Sequence, residues 1–135
     1  MPNLKSFTAQ WSPVVHSIMR IFVGLLYMEH GAMKLFGLPA PMEGGTVALF
    51  SLMGLAGVLE FFGGSLVFLG LFTRPAAFIL SGQMAAAYFL AHAPKGFWPG
   101  LNQGELAILY CFAFLFFAFA GGGALSLDRI LRKVD

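Results

Sequence analysis

Apolar residues along this chain gather into four long runs separated by turn formers, and they do not alternate with polar ones at a period of two. The breaks are Gly37-Leu38-Pro39-Ala40-Pro41, Thr73-Arg74-Pro75, and Pro94-Lys95-Gly96 with Pro99-Gly100. Gly121-Gly122-Gly123 stops the last run. Between these breaks the pattern predicts helices at about 14–36, 46–72, 75–93 and 102–120. Each offers about the 20 residues that a hydrocarbon core near 30 Å thick requires at 1.5 Å per residue. Membrane β-strands would alternate between lipid and lumen, which 112–120 does not do. The expected fold class is all-α: an integral membrane four-helix bundle, one domain over 1–135. The segment 126–133 reads as a short amphipathic helix in a cytoplasmic tail at 125–135.

Composition sharpens this into exclusions. Of 135 residues, 59% are apolar and only 10% charged, against about 25% charged in a soluble domain. The mean hydropathy is +0.81. Fourteen charges cannot cover a water-exposed surface of this size, so a soluble enzyme and a disordered regulator are excluded. A net charge of +2 without a basic cluster excludes a nucleic-acid partner. The single cysteine, Cys111, excludes an internal disulfide. The first run is too long for a signal peptide, contains Arg20, Glu29 and His30, and lacks a small-residue cleavage site, so it is expected to be retained. Lys5, Arg20, Arg74, Arg129, Arg132 and Lys133 fall on one side of the bilayer, and Lys34 and Lys95 on the other. That asymmetry predicts both termini in the cytoplasm.

Candidate chemistry lies in the polar residues inside the spans, because an ionisable group near the bilayer centre costs at least about 2.5–3.5 kcal/mol. From a cytoplasmic edge at Val14, helical rise puts Arg20 about 9 Å deep, His30 about 24 Å and Lys34 about 30 Å. His92 comes out level with His30, and Glu60 close to the midplane. At 100° per residue, Arg20, Gly24, Tyr27, Gly31 and Lys34 share one face of the first helix, while Glu29 points away. Gly57, Glu60 and Gly64 share a face of the second helix; Ser81, Ala85, Tyr88 and His92 share one of the third. Packed together, these stripes predict a polar centre: His30, Lys34, His92 and Glu105 near an outer mouth, Glu60 deeper, Arg20 beneath. A midplane carboxylate must be protonated or paired, and Arg20 and His30 are the expected cations. Structural roles compete. Arg20 can snorkel, Lys34 can anchor at the outer surface, and Asn102-Gln103-Gly104-Glu105 can form a capping box.

The same residues resemble a known pattern. Met19-Arg20-Ile21, His30-Gly31-Ala32-Met33-Lys34-Leu35, Glu60-Phe61-Phe62-Gly63-Gly64 and Gly70-Leu71-Phe72-Thr73-Arg74-Pro75-Ala76 resemble, in order, the DoxX family of small four-helix bacterial membrane proteins. Asn102-Gln103-Gly104-Glu105-Leu106 and Gly121-Gly122-Gly123-Ala124-Leu125-Ser126-Leu127-Asp128 extend the match over about 14–131. The family is named for a subunit similar to one in an archaeal thiosulfate:quinone oxidoreductase, and other members are linked with membrane redox complexes. The resemblance therefore implies an inner-membrane subunit of a redox complex, with quinone as the ligand class. The binding or proton-exchange candidates are Arg20, His30, Lys34, Glu60, Tyr88, His92 and Glu105. With no dithiol or nucleotide loop, any electron donor would be a partner subunit. The alternative is a non-enzymatic binding, transport or assembly subunit, acting with a partner or as a homo-oligomer. His30 and His92 lie at one depth, but no local metal-ligand spacing accompanies them. Neither a metal site nor haem is expected.

Overall fold

A computed structural model describes residues 3–134, and the last residue of the expected tail lies outside them. Among the described residues four longer apolar helices form the bundle: α1 (Leu4–Phe36), α2 (Leu52–Leu69), α3 (Thr73–Lys95) and α4 (Glu105–Ala120). The first three are long and apolar enough to cross a bilayer, and α4 is a shorter apolar helix of the same kind. Helix α1 starts ten residues before the predicted 14. Asn3 caps it by accepting from the Ser6 amide at 2.9 Å. Pro13 sits inside, where its missing N–H removes one backbone bond and the helix carries on. Helix α2 starts at Leu52 rather than 46, because the Ser51 hydroxyl accepts from the Gly54 amide and sets its first turn.

Helices α1 and α2 approach to backbone contact. A Cβ on Gly24 would lie 2.4 Å from the Phe68 amide nitrogen, and one on Gly31 would lie 2.3 Å from that of Phe61. Only glycine permits this spacing. Helices α3 and α4 pack along their length, and the Ser81 hydroxyl on α3 donates to the Cys111 carbonyl on α4. The core between the pairs holds Tyr27, Val67, Leu80, Phe114 and Phe117, with the Tyr27 ring edge-on to Phe114 at 4.7 Å.

At the end of the bundle where the described residues begin and end, Arg20 is fully buried and neither snorkels nor reaches the polar centre. Its guanidinium donates to four carbonyls: Gly122 at 2.7 Å, Val67 at 2.5 Å, Phe68 at 2.6 Å and Leu125 at 2.5 Å. Val67 and Phe68 lie in the last turn of α2, where the helix dipole is negative; the Val67 carbonyl also accepts from the Gly70 amide at 3.1 Å, so Arg20 takes its second lone pair. Arg20 thus caps α2 and ties the 121–125 segment to α1. The tail folds back in one turn, Asp128–Arg132, with Asp128 buried. Its carboxylate accepts from the Phe72 amide at 2.8 Å and the Thr73 amide at 2.9 Å, so it caps α3 from 55 residues away. Burial pushes the Asp128 carboxyl up, but the Thr73 and Phe72 amides and Arg132 outweigh it and hold the group below its usual range.

Candidate functional site: a cavity at the far half of the bundle

Away from the termini, α2 and α3 diverge. Over Leu52–Val58, α2 packs chiefly on α1, which leaves a crevice between α2 and α3. It leads into a cavity of about 560 Å³, inside the size range of small-molecule sites. Leu52, Leu55, Ile79 and Leu90 line the cavity and remain open to the surroundings, Leu52 and Leu90 by more than two thirds (69% and 68%). In a bilayer that rim faces lipid.

The polar groups lie at the back. Lys34 is 9% exposed and Glu60 3%, and Lys34 Nζ donates to Glu60 Oε1 at 2.6 Å. An ammonium and a carboxylate in such direct contact form a charge-assisted bond. The cation beside Glu60 is therefore Lys34, in place of the expected Arg20 or His30. Lys34 turns inward and does not anchor at the outer surface. It can do so because Gly57 lets the two helices close up: a Cβ there would sit 3.2 Å from that of Lys34. Gln83 Nε2 donates weakly to the Ala56 carbonyl and to Glu60 Oε1, both at 3.4 Å. Tyr27, His30, His92, Gln103 and Tyr110 complete the polar and aromatic lining. Three buried atoms of this lining have no hydrogen-bond partner among the described residues: Glu60 Oε2, Gln83 Oε1 and Tyr27 Oη.

The local backbone explains two of these placements. Glu60 and His92 both sit in short stretches of wider π-type turns, Leu59–Gly63 and Tyr88–His92. Such turns accommodate an extra residue and recur at functional sites. At His92 the under-winding sets the side chain back by roughly one residue's rotation, about 100°, toward the cavity. Its ring Nδ1 lies 3.1 Å from the Asn102 carbonyl, an acceptor, so Nδ1 carries the hydrogen. In the neutral ring Nε2 is then an acceptor.

The remaining candidates lie elsewhere. Tyr88 accepts from Asn102 Nδ2 at 3.2 Å, outside the cavity lining. Glu105 is exposed and starts α4 without a capping box. Asn102, fully buried, instead accepts from the Gly104 amide at 2.9 Å and donates to the Gly96 carbonyl, pinning the loop before α4. Among the described residues no three His, Cys, Asp or Glu side chains converge at metal-ligand spacing. Gln83 and Tyr110 line the cavity without having been singled out in the sequence, and Tyr27, placed on the inward stripe of α1, was not among the candidates. The Ile79–Gln83–Ala86–Leu90 spacing was the available signal for Gln83: this face lies opposite the Ser81–Ala85–Tyr88 face chosen from sequence, which α4 occupies.

Comparison with known proteins agrees with the helical pattern. An uncharacterized protein of Haemophilus influenzae is 48% identical over 98% of this chain and 99% of its own length. The inner membrane protein YqjF of Escherichia coli is 30% identical over 86% of this chain and 91% of its own. An uncharacterized membrane protein of Mycobacterium tuberculosis is 28% identical over 95% and 92%. No solved structure matches. The DoxX family model matches residues 15–93, which carry Arg20, Lys34, Glu60, Gln83 and His92, and the chain is a membrane protein of the DoxX family.

Proposed function

We propose that this chain is a membrane-embedded subunit of a redox complex that takes a lipophilic molecule of the quinone class from the bilayer. The observation that carries this reading is the buried Lys34–Glu60 pair at the back of an apolar cavity whose rim opens to lipid. A lipophilic ring and tail fit the Leu, Met and Ala walls, and the free hydrogens of Lys34 suit a polar head. Such a molecule takes up two electrons and two protons on reduction. Glu60 Oε2, unengaged by Lys34, is placed to hold one proton, and His30 lies on the same lining. With one cysteine in the chain, electrons come from a partner subunit.

The orientation that suits this role places both termini in the cytoplasm of a bacterial inner membrane. Setting aside the buried Arg20 and Lys34, the basic residues Lys5, Arg74, Arg129, Arg132 and Lys133 lie at the terminal end and Lys95 at the other. Calorimetric titration of the protein in lipid nanodiscs with 2-decyl-1,4-benzoquinone tests the ligand class. The expected result is saturable one-site binding, weakened at least about tenfold in Ala87→Phe, which fills the cavity. Binding that never saturates, or that Ala87→Phe leaves unchanged while the variant stays folded, overturns the reading.

A further inference from the structure

We propose that the cavity selects a head group that donates a hydrogen bond, so that a quinol or phenol is held in preference to a quinone. This rests on the reading of the cavity as a lipophilic-ligand site and adds which form of the head it recognises. The polarity of the unengaged atoms carries it. Glu60 is nine-tenths buried or more and meets Lys34 at 2.6 Å through Oε1. Paired with the Lys34 ammonium, Glu60 is a carboxylate, and its Oε2, which Lys34 does not engage, is an acceptor.

Gln83 presents a second acceptor, and its amide orientation follows from its surroundings. On one side it faces the Ala56 carbonyl and Glu60 Oε1, both acceptors, so the NH₂ must lie there. Oε1 is left buried on the cavity lining without a partner among the described residues. His92 adds a third acceptor in its neutral form, because its Nδ1 hydrogen is spent on the Asn102 carbonyl.

A quinone carbonyl only accepts. It can take a hydrogen from Lys34 or from Tyr27 Oη, yet it leaves the two buried acceptors unmet, and an unmet buried acceptor opposes binding. A ring hydroxyl does both. Its oxygen accepts from Lys34 or Tyr27, and its hydrogen points to Glu60 Oε2 or Gln83 Oε1. The aromatic part of the lining, Tyr27, Tyr110, His30 and His92, suits a ring in place of a flexible alcohol.

The test uses three probes with the same tail: 4-decylphenol, 4-decylanisole and 2-decyl-1,4-benzoquinone, titrated into wild type, Gln83→Met and Glu60→Gln in nanodiscs. Phenol binding at least tenfold tighter than anisole and quinone, with that ratio falling several-fold in either variant, is the expected result. Comparing ratios between variants cancels differences in lipid partition. Should Glu60→Gln not fold, Gln83→Met alone decides, since it keeps the Lys34–Glu60 pair. Quinone binding that equals or exceeds phenol binding in the wild type overturns the selectivity and leaves the cavity reading standing. So does a ratio unmoved in both variants. Saturable binding of none of the three overturns the cavity reading, and the selectivity falls with it.

Discussion

Lys34→Met removes the ammonium while keeping most of the side-chain volume, and leaves Glu60 facing an apolar wall. At 2.6 Å and an effective dielectric near 20, the lost attraction is about 6 kcal/mol, set against several kcal/mol of desolvation that each ion already carries. The pair is therefore worth little net, but breaking it from one side costs about 3–5 kcal/mol. The two sides differ. Lys34 stands two residues from the end of α1, and its long stem can carry the ammonium to water once the carboxylate is gone. Glu60, in the middle of α2, has no such escape. Glu60→Leu should thus cost less than Lys34→Met, and the double variant Lys34→Met/Glu60→Leu should be more stable than Lys34→Met alone. Reversible unfolding in mixed micelles with increasing dodecyl sulfate measures all four corners of the cycle. A Lys34→Met variant within about 0.5 kcal/mol of wild type, or strictly additive losses in the double variant, would refute the reasoning.

Three further expectations follow from geometry elsewhere in the bundle. Gly31→Ala should destabilise by about 1–3 kcal/mol through overpacking against Phe61, whereas Gly82→Ala, whose Cβ meets nothing within 4 Å, should be neutral or stabilise by up to about 1 kcal/mol in the same assay. Arg20→Lys should cost about 3 kcal/mol, because a lysine cannot span four carbonyls; it should also expose 121–134 to proteolysis, read by mass spectrometry. Asp128, held below its usual range by two amides and Arg132, contributes stability that is full above about pH 4 and lost as pH falls through its folded value. Asp128→Asn should therefore be less stable by about 1 kcal/mol at neutral pH, and the gap should close as the solution is acidified in a melting series.

The helical pattern was legible because the bilayer imposes it: a backbone in hydrocarbon must satisfy its own amides, so spans are long apolar helices and Gly/Pro breaks fall where the chain leaves lipid. The glycine faces were legible for a similar reason, since Gly24, Gly31, Gly57 and Gly64 fall at helical spacing and mark close approach. Side-chain pairing was not. Axial depth brought Arg20 and His30 within reach of Glu60, but Arg20 is claimed by carbonyls of the Gly121–Gly123 break and the end of α2, groups that a hydropathy pattern does not register. Lys34 read as an anchor because depth alone cannot show an inward turn. The cavity face of α3 was missed for a further reason. Ser81 and Tyr88 look like site residues on a helical wheel, yet their hydroxyls serve packing against α4 and the loop before it. The π-type turn that redirects His92 carries no residue signature in Tyr88–His92.

The central claim is that a lipophilic ligand enters between α2 and α3 and lodges against Lys34 and Glu60. Photolabelling in native membranes addresses it most directly, with a 1,4-benzoquinone bearing a short diazirine tail and peptide mapping by mass spectrometry. The account predicts labels confined to 52–60 and 79–92, suppressed by excess unlabelled quinone and by Ala87→Phe. Labels spread over the lipid face of α4, at Phe112, Phe116 and Phe119, and indifferent to competitor, would contradict it.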